Sequence, residues 1–233
     1  KIGREYSEPR FRLLRDEFSS PQMIMTIQGP SVSEVSTFVT EQTDFIIKFF
    51  SDEEINRAAR EFHDEHNIKF AKKVKDMFGC DFYIPVDINK MKIGDNFIWA
   101  SNDALTGIQN IVIYSYPYAT EKVFRRGVYS ALRDSFMKAN IPGGKPNQYM
   151  ATDKNHVDVK NITVRGEFAQ EARGLWHMEN DAMGGPFVAH SMIDTINNRV
   201  IVAEGFVYAP DKMKRTMIRR LEAALYTLRM PGK

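Results

Sequence analysis

Residues 167–186, EFAQEARGLWHMENDAMGGP, bring Glu171, Arg173, His177, Glu179 and Asp181 together around Trp176. Read as a strand, successive side chains alternate between faces. Glu171, Arg173 and Leu175 then share one face, and Ala172, Gly174 and Trp176 share the other. This pairs Glu171 with Arg173 and sends the Trp176 indole into the core. Gly184-Gly185-Pro186 reads as a flexible turn able to close over a ligand. The functional expectation is a ligand site with Arg173 as anion anchor and Trp176 as apolar wall. A solvated strand face followed by a surface loop accounts for the same residues. Glu204 interrupts the apolar run Val200–Tyr208. A carboxylate there lies on an open sheet face or inside with a partner, and the sequence offers Arg173 or His190 as that partner. The candidate ligand-binding set is Glu171, Arg173, Trp176, Asp181 and Glu204, with no catalytic residue assigned.

Other motifs carry less. His63 and His66 sit three apart on a helix and could share a metal, but the run Phe62-His63-Asp64-Glu65-His66 lacks the order of known zinc-protease patterns. Solvated helix histidines are the simpler reading, and neither a metal site nor a cofactor is expected. Gly143-Gly144-Lys145-Pro146 holds a Gly-Lys pair without the flanking spacing of a phosphate loop, and Pro146 cannot continue the helix such a loop needs. There is no Gly-x-Ser-x-Gly elbow and no Gly-x-Gly-x-x-Gly run. Cys80 has no histidine beside it and reads as an inert buried thiol. The last helix sets Lys212, Lys214, Arg215, Arg219, Arg220 and Arg229 beside a stripe of Met213, Met217, Leu221, Ala224, Leu225 and Leu228. That pattern fits a membrane-surface helix, or a helix packed on the core with a solvated rim.

The elements that must position these residues form a pattern. Met23–Gln28 is a strand candidate. Ser31 to Glu34 is a capping box that opens a helix. A second box, Ser51 to Glu54, is expected to open a long helix running to about Phe78, closed by Gly79. Strands are expected at Phe82–Pro85, Phe97–Ser101, Ile108–Tyr116, Tyr149–Thr152, Val157–Arg165, Glu167–Met178, Phe187–Ile193 and Val200–Tyr208. Helices are expected at Glu121–Ala139 and from Pro210 onward. Runs of strands separated from helices predict an α+β fold, a mainly antiparallel sheet with helices packed on it. Residues 96–123 and 186–213 align at an offset of 90, with seven of 28 positions identical, including Phe97/Phe187 and Tyr118/Tyr208. This predicts two hairpin-plus-helix units, about 80–143 and 168–232, inside a single domain of 1–233.

The 233 residues suffice for a sizeable core. A net charge of +2 gives no global drive toward nucleic acid, and no aromatic-basic RNA-binding pattern appears. The single cysteine excludes an internal disulfide framework. The chain opens on Lys1-Ile2-Gly3-Arg4, so an upstream segment is expected.

Several strings carry a family resemblance. They are Ala172-Arg173-Gly174-Leu175-Trp176, Met183-Gly184-Gly185-Pro186-Phe187, Glu204 to Lys212 and Arg219 to Arg229, with Met77 to Asp81, Trp99-Ala100-Ser101 and Tyr114 to Tyr118. Through them the chain resembles an uncharacterised family, domain of unknown function forty-eight thirty-seven, of lipoproteins from gut-type Gram-negative bacteria. The resemblance implies a lipoprotein signal and an α/β segment upstream of Lys1, and an extracytoplasmic protein of the cell envelope whose membrane association runs through a lipid anchor. It implies no reaction. The leading expectation is a non-catalytic envelope domain binding an unknown envelope protein or small ligand. The alternative is an envelope hydrolase acting on a glycan or peptide through a carboxylate pair, Glu171 or Asp181 with Glu204.

Overall fold

A computed structural model describes residues 6–105 and 107–232. The sequence shows no strong internal boundary, yet the chain divides into two compact units, Lys1–Arg57 and Ala58–Lys233.

In the first unit, β1 (Arg10–Arg15) pairs antiparallel with β2 (Met23–Gln28), Arg10 opposite Gln28 and Arg15 opposite Met23. β1 falls in a stretch whose charge reads as irregular. Its Arg-Phe-Arg-Leu start nevertheless alternates, and Phe11 packs its ring on Phe38 and Phe45 at centroid distances of 4.9 and 5.2 Å. α1 (Val32–Glu41) begins at the expected cap: the Glu34 amide donates to the Ser31 hydroxyl, which donates in turn to the Glu34 carboxylate. The second expected cap is not one. Ser51 to Glu54 lie inside α2 (Thr43–Asp64), a helix that starts well before them. The predicted long helix also breaks. Within the second unit, Asn67 caps a separate α3 (Ile68–Phe78), accepting from the Phe70 amide at 3.0 Å and donating to the Ile88 carbonyl at 2.8 Å. Gly79 closes α3 at φ +68.

The second unit is built on a seven-stranded antiparallel sheet in the order β3-β4-β5-β9-β8-β7-β6 among the described residues. Its strands are β3 (Lys90–Gly94), β4 (Phe97–Ser101), β5 (Ile108–Pro117), β6 (Met150–Val164), β7 (Glu167–Met178), β8 (Gly184–Asp194) and β9 (Arg199–Tyr208). The α+β architecture matches the sequence reading. The two strands expected at 149–165 are one, β6, whose register shifts between Thr152 and Val157. Residues 82–85 run extended outside the sheet: Asp81 and Arg229 exchange backbone hydrogen bonds, and the Tyr83 amide donates to the Thr227 hydroxyl.

Strand alternation gives the sheet two faces, with α4 on one and α5 on the other. α4 (Arg126–Asn140), preceded by a short 3-10 turn Glu121–Phe124, lies on the face carrying Val112, Tyr114, Phe187, Trp176, Val202 and Phe206. Phe136 of α4 stacks on Tyr114 at 4.5 Å. α5 (Arg215–Leu225) covers the opposite face, starting later than Pro210 because residues 209–214 turn before the helix begins. Gly205 makes this packing possible: a Cβ there would sit 2.6 Å from the Leu221 Cβ. The hairpins β4–β5 and β8–β9 do not share a register. Phe97 faces Tyr114, but Phe187 faces Phe206 rather than the aligned Glu204, and the helices that follow lie on opposite faces.

Candidate functional site

The five predicted site residues fall in three places. Glu171 and Arg173 lie on the α5 face. Trp176 and Glu204 lie on the α4 face. Asp181 lies in the turn between β7 and β8.

On the α5 face, Arg173 forks onto Glu171, Nε to Oε1 at 2.8 Å and Nη2 to Oε2 at 2.9 Å, as the strand alternation predicts. Its Nη2 also donates to Glu222 of α5. Lys160 reaches Glu171 at 3.1 Å, and the His190 Nε2 stands 3.8 Å away with its ring edge-on to Tyr226. Burial works to push the Glu171 carboxyl up, but His190, Arg173 and Lys160 together hold it well below the usual carboxylate range. Burial works against the Arg173 guanidinium too, and Glu171 and Glu222 keep it above its ordinary value. Arg173 is thus committed to two carboxylates, which leaves it a clamp between β7 and α5 rather than a vacant anion anchor.

On the α4 face, the partner of Glu204 is neither Arg173 nor His190, both of which project from the other side of the sheet. It is Arg133, one helix away. Arg133 Nε donates to Oε2 at 2.9 Å and Nη2 to Oε1 at 2.7 Å. Nη1 donates to the Thr152 hydroxyl at 2.9 Å, which donates onward to Asp134 at 2.6 Å. The guanidinium lies 4.2 Å above the Phe187 ring. Burial pushes the Glu204 carboxyl up and Arg133 opposes it. The two-point geometry is that of a carboxylate on a guanidinium, and Glu204 holds Arg133 above its ordinary value despite burial. Arg133 escapes the sequence reading because an arginine in an amphipathic helix reads as surface. Only its neighbours at the same face, Tyr129 and Met137, mark the position as inward.

Glu171 and Glu204 therefore project from opposite faces of one sheet, and no cleft can present both to one bond. Asp181 is exposed, accepting from Gln148 Nε2 at 3.0 Å and from the Met183 amide at 3.3 Å. It shapes the turn. The carboxylate pairs of the hydrolase alternative do not converge.

Gly184-Gly185-Pro186 is not a closing loop but the first residues of β8. Gly185 sits against Trp176, and a Cβ there would lie 2.0 Å from the Val207 carbonyl oxygen, the atom that accepts the Trp176 indole N–H at 3.3 Å. Trp176 is 3% exposed, and its ring forms part of an apolar wall. The wall belongs to a groove of about 490 Å³ on the α4 face, beyond the end of that helix. Trp99, Phe206, Tyr208 and four methionines, Met91, Met150, Met178 and Met183, line it with Trp176. The loop Ile141–Gly144 also lines it, and the exposed lining residues Lys90, Lys92 and Asp103, with half-buried Ser101 beside them, mark its mouth. Trp99 donates to Asn110 Oδ1 at 2.9 Å. The edge strand β3, which supplies the lysines, has no sequence signal beyond Met91 and Ile93 alternating with charge.

His63 and His66 both pack on the Tyr83 ring, at 5.4 and 4.3 Å. On α5, Arg220 pairs with Asp87 and Arg219 with Glu222, so part of its basic rim is bound up within the unit. Among the described residues no helix is long and apolar enough to cross a membrane.

A domain of unknown function, DUF8532, matches residues 1–63. No curated protein matches the chain. Among solved structures, it is similar to a Bacteroides thetaiotaomicron VPI-5482 protein at 12% identity and TM-score 0.35, over 66% of this chain and 46% of that one. The chain thus spans less than half the length of that protein. It is also similar to the Ran-binding protein Mog1p of Saccharomyces cerevisiae at 10% identity and TM-score 0.34, over 64% of this chain and 84% of that one. A second domain of unknown function, DUF4837, matches residues 67–227, more than half of the sequence, and the chain belongs to that family.

Proposed function

We propose that the second unit is a binding module of the cell envelope, held to a membrane by a lipid anchor upstream of Lys1, and that its groove receives an apolar ligand without acting on it chemically. One observation carries the binding reading: both tryptophans of the chain wall a single groove whose volume, about 490 Å³, falls within the roughly 300–1,000 Å³ of small-molecule sites. The non-catalytic reading is supported by the carboxylates, since Glu204 is fully enclosed on Arg133 and Glu171 is held by Arg173. The envelope location and anchor are supported by the resemblance carried by the Glu204 to Lys212 and Arg219 to Arg229 strings.

Because Trp99 and Trp176 are the only tryptophans, intrinsic emission reports on the groove directly. Titration with the neutral dye Nile red is expected to quench that emission saturably and to shift the dye emission to the blue. Loss of both signals in Ser101→Phe, which plugs the mouth without adding a tryptophan, locates the dye. Absence of a saturable response in the unaltered protein would sink the binding reading. The anchor is tested by metabolic labelling of the full-length precursor with radioactive palmitate; a precursor that stays unlabelled removes it.

A further inference from the structure

The groove's shape and lining specify its ligand more narrowly than apolar. Its lining runs from one side of the sheet to the other, with Lys90 and Lys92 of β3 at one end and Trp176 of β7 and Met150 of β6 at the other. An elongated apolar lining of this kind suits an extended hydrocarbon chain. The indole N–H groups that could read a polar ligand are spent inside the protein, Trp99 on Asn110 and Trp176 on the Val207 carbonyl. Methionine side chains, unbranched and flexible, fit themselves to a sliding chain better than to a rigid ring. The mouth differs from the interior. Lys90 and Lys92 project side by side from the exposed edge strand beside Trp99 and Ser101, their cross-strand partners. With Asp103 they give the opening two positive charges against one negative, a net of +1.

We infer that the groove binds a single-chain amphiphile, its aliphatic chain lying along the sheet between Trp99 and Trp176 and its anionic head at Lys90 and Lys92. This rests on the binding reading above. Carboxylate and phosphate-monoester heads share the required chemistry.

The test uses the full chain and parinaric acid, a fluorescent long-chain carboxylate that accepts energy from tryptophan. Saturable energy transfer is expected, with displacement by palmitate and by hexadecyl phosphate, whose relative potency separates the two head types. Hexadecanol, the neutral analogue, is expected to compete about tenfold more weakly, the scale of one charge-assisted hydrogen bond. Lys90→Glu/Lys92→Glu is expected to abolish the preference of palmitate over hexadecanol, and Asp103→Asn to increase it. Lys90 and Asp103 are exposed, Lys92 is exposed and donates to the Asn140 carbonyl at 3.0 Å, and an unaltered melting temperature verifies that the fold tolerates the changes. Equal binding of palmitate and hexadecanol, unmoved by the substitutions, overturns the anionic head. Nile red binding without displacement by any long-chain compound overturns the amphiphile but leaves the binding groove standing. Failure of every probe removes both.

Discussion

Arg133 on α4 and Glu204 on β9 face each other through two hydrogen bonds of 2.9 and 2.7 Å, and neither side chain has any exposed surface. Taking both charges out of water is costly, and their attraction offsets that cost only because each nitrogen of the guanidinium finds a partner. The pair joins a helix to the sheet centre across the aromatic face formed by Tyr114, Tyr129 and Phe187. Its removal and its replacement are expected to behave differently.

Arg133→Met leaves the Glu204 carboxylate enclosed without its partner and is expected to cost about 3–5 kcal/mol, seen as a melting temperature lowered by about 10 °C. Arg133→Met/Glu204→Leu removes both charges and is expected to recover most of that loss. A double-mutant cycle by urea unfolding measures the coupling; additive single effects would show that the pair does not act as a unit.

Glu171 gives stability a pH dependence. Its folded carboxyl titrates below the ordinary range because His190, Arg173 and Lys160 override the opposing effect of burial. Between the folded value and the ordinary one, the unfolded chain binds the proton and the folded chain does not, so stability rises with pH there. The contribution is fully present above the ordinary carboxylate range and is lost as the pH falls through it toward the folded value. Glu171→Gln is expected to be less stable than the parent at pH 7, with the gap closing on acidification below about pH 4. Urea unfolding at stepped pH reads this, and a gap constant with pH would refute it.

Gly205→Ala drives a methyl group to within 2.6 Å of the Leu221 Cβ, so α5 must lift from the sheet. The expected cost is about 1–3 kcal/mol. Adding Leu221→Gly removes the clashing Cβ, and the double variant is expected to be more stable than the sum of the single effects. Thermal melts of the three variants decide it.

Cys80 is completely buried, and burial pushes its thiol up to about 12. The native protein is expected to resist Ellman's reagent at pH 8 for as long as it stays folded, and to react at once in guanidinium. Rapid native labelling would place the thiol elsewhere.

Strand positions in the second unit were legible because apolar residues run through β4, β5, β8 and β9 in lengths that suit strands, and the central strands need no surface pattern. The pairing of Glu171 with Arg173 was legible because it is local, two residues apart on one strand. The partner of Glu204 was not, since Arg133 lies 71 positions away and contact across that distance depends on which face of the sheet a helix covers. The same ignorance merged Glu171 and Glu204 into one site, although β7 and β9, with β8 between them, present them to opposite helices. The break before Asn67 was hidden because a polar residue amid a helical pattern reads as surface until its side chain is seen capping the next turn.

The Arg133–Glu204 bond also bears on how the sheet finds its alignment. If β9 slid by a single position, Glu204 would turn to the α5 side, against Leu221, which fills the space above Gly205, and Arg133 would be stranded among aromatic rings. Such a misalignment carries two uncompensated charges and a steric collision at once. The ion pair thus acts as a proofreading key for the central strand, cut so that only one setting of β9 lets the lock turn.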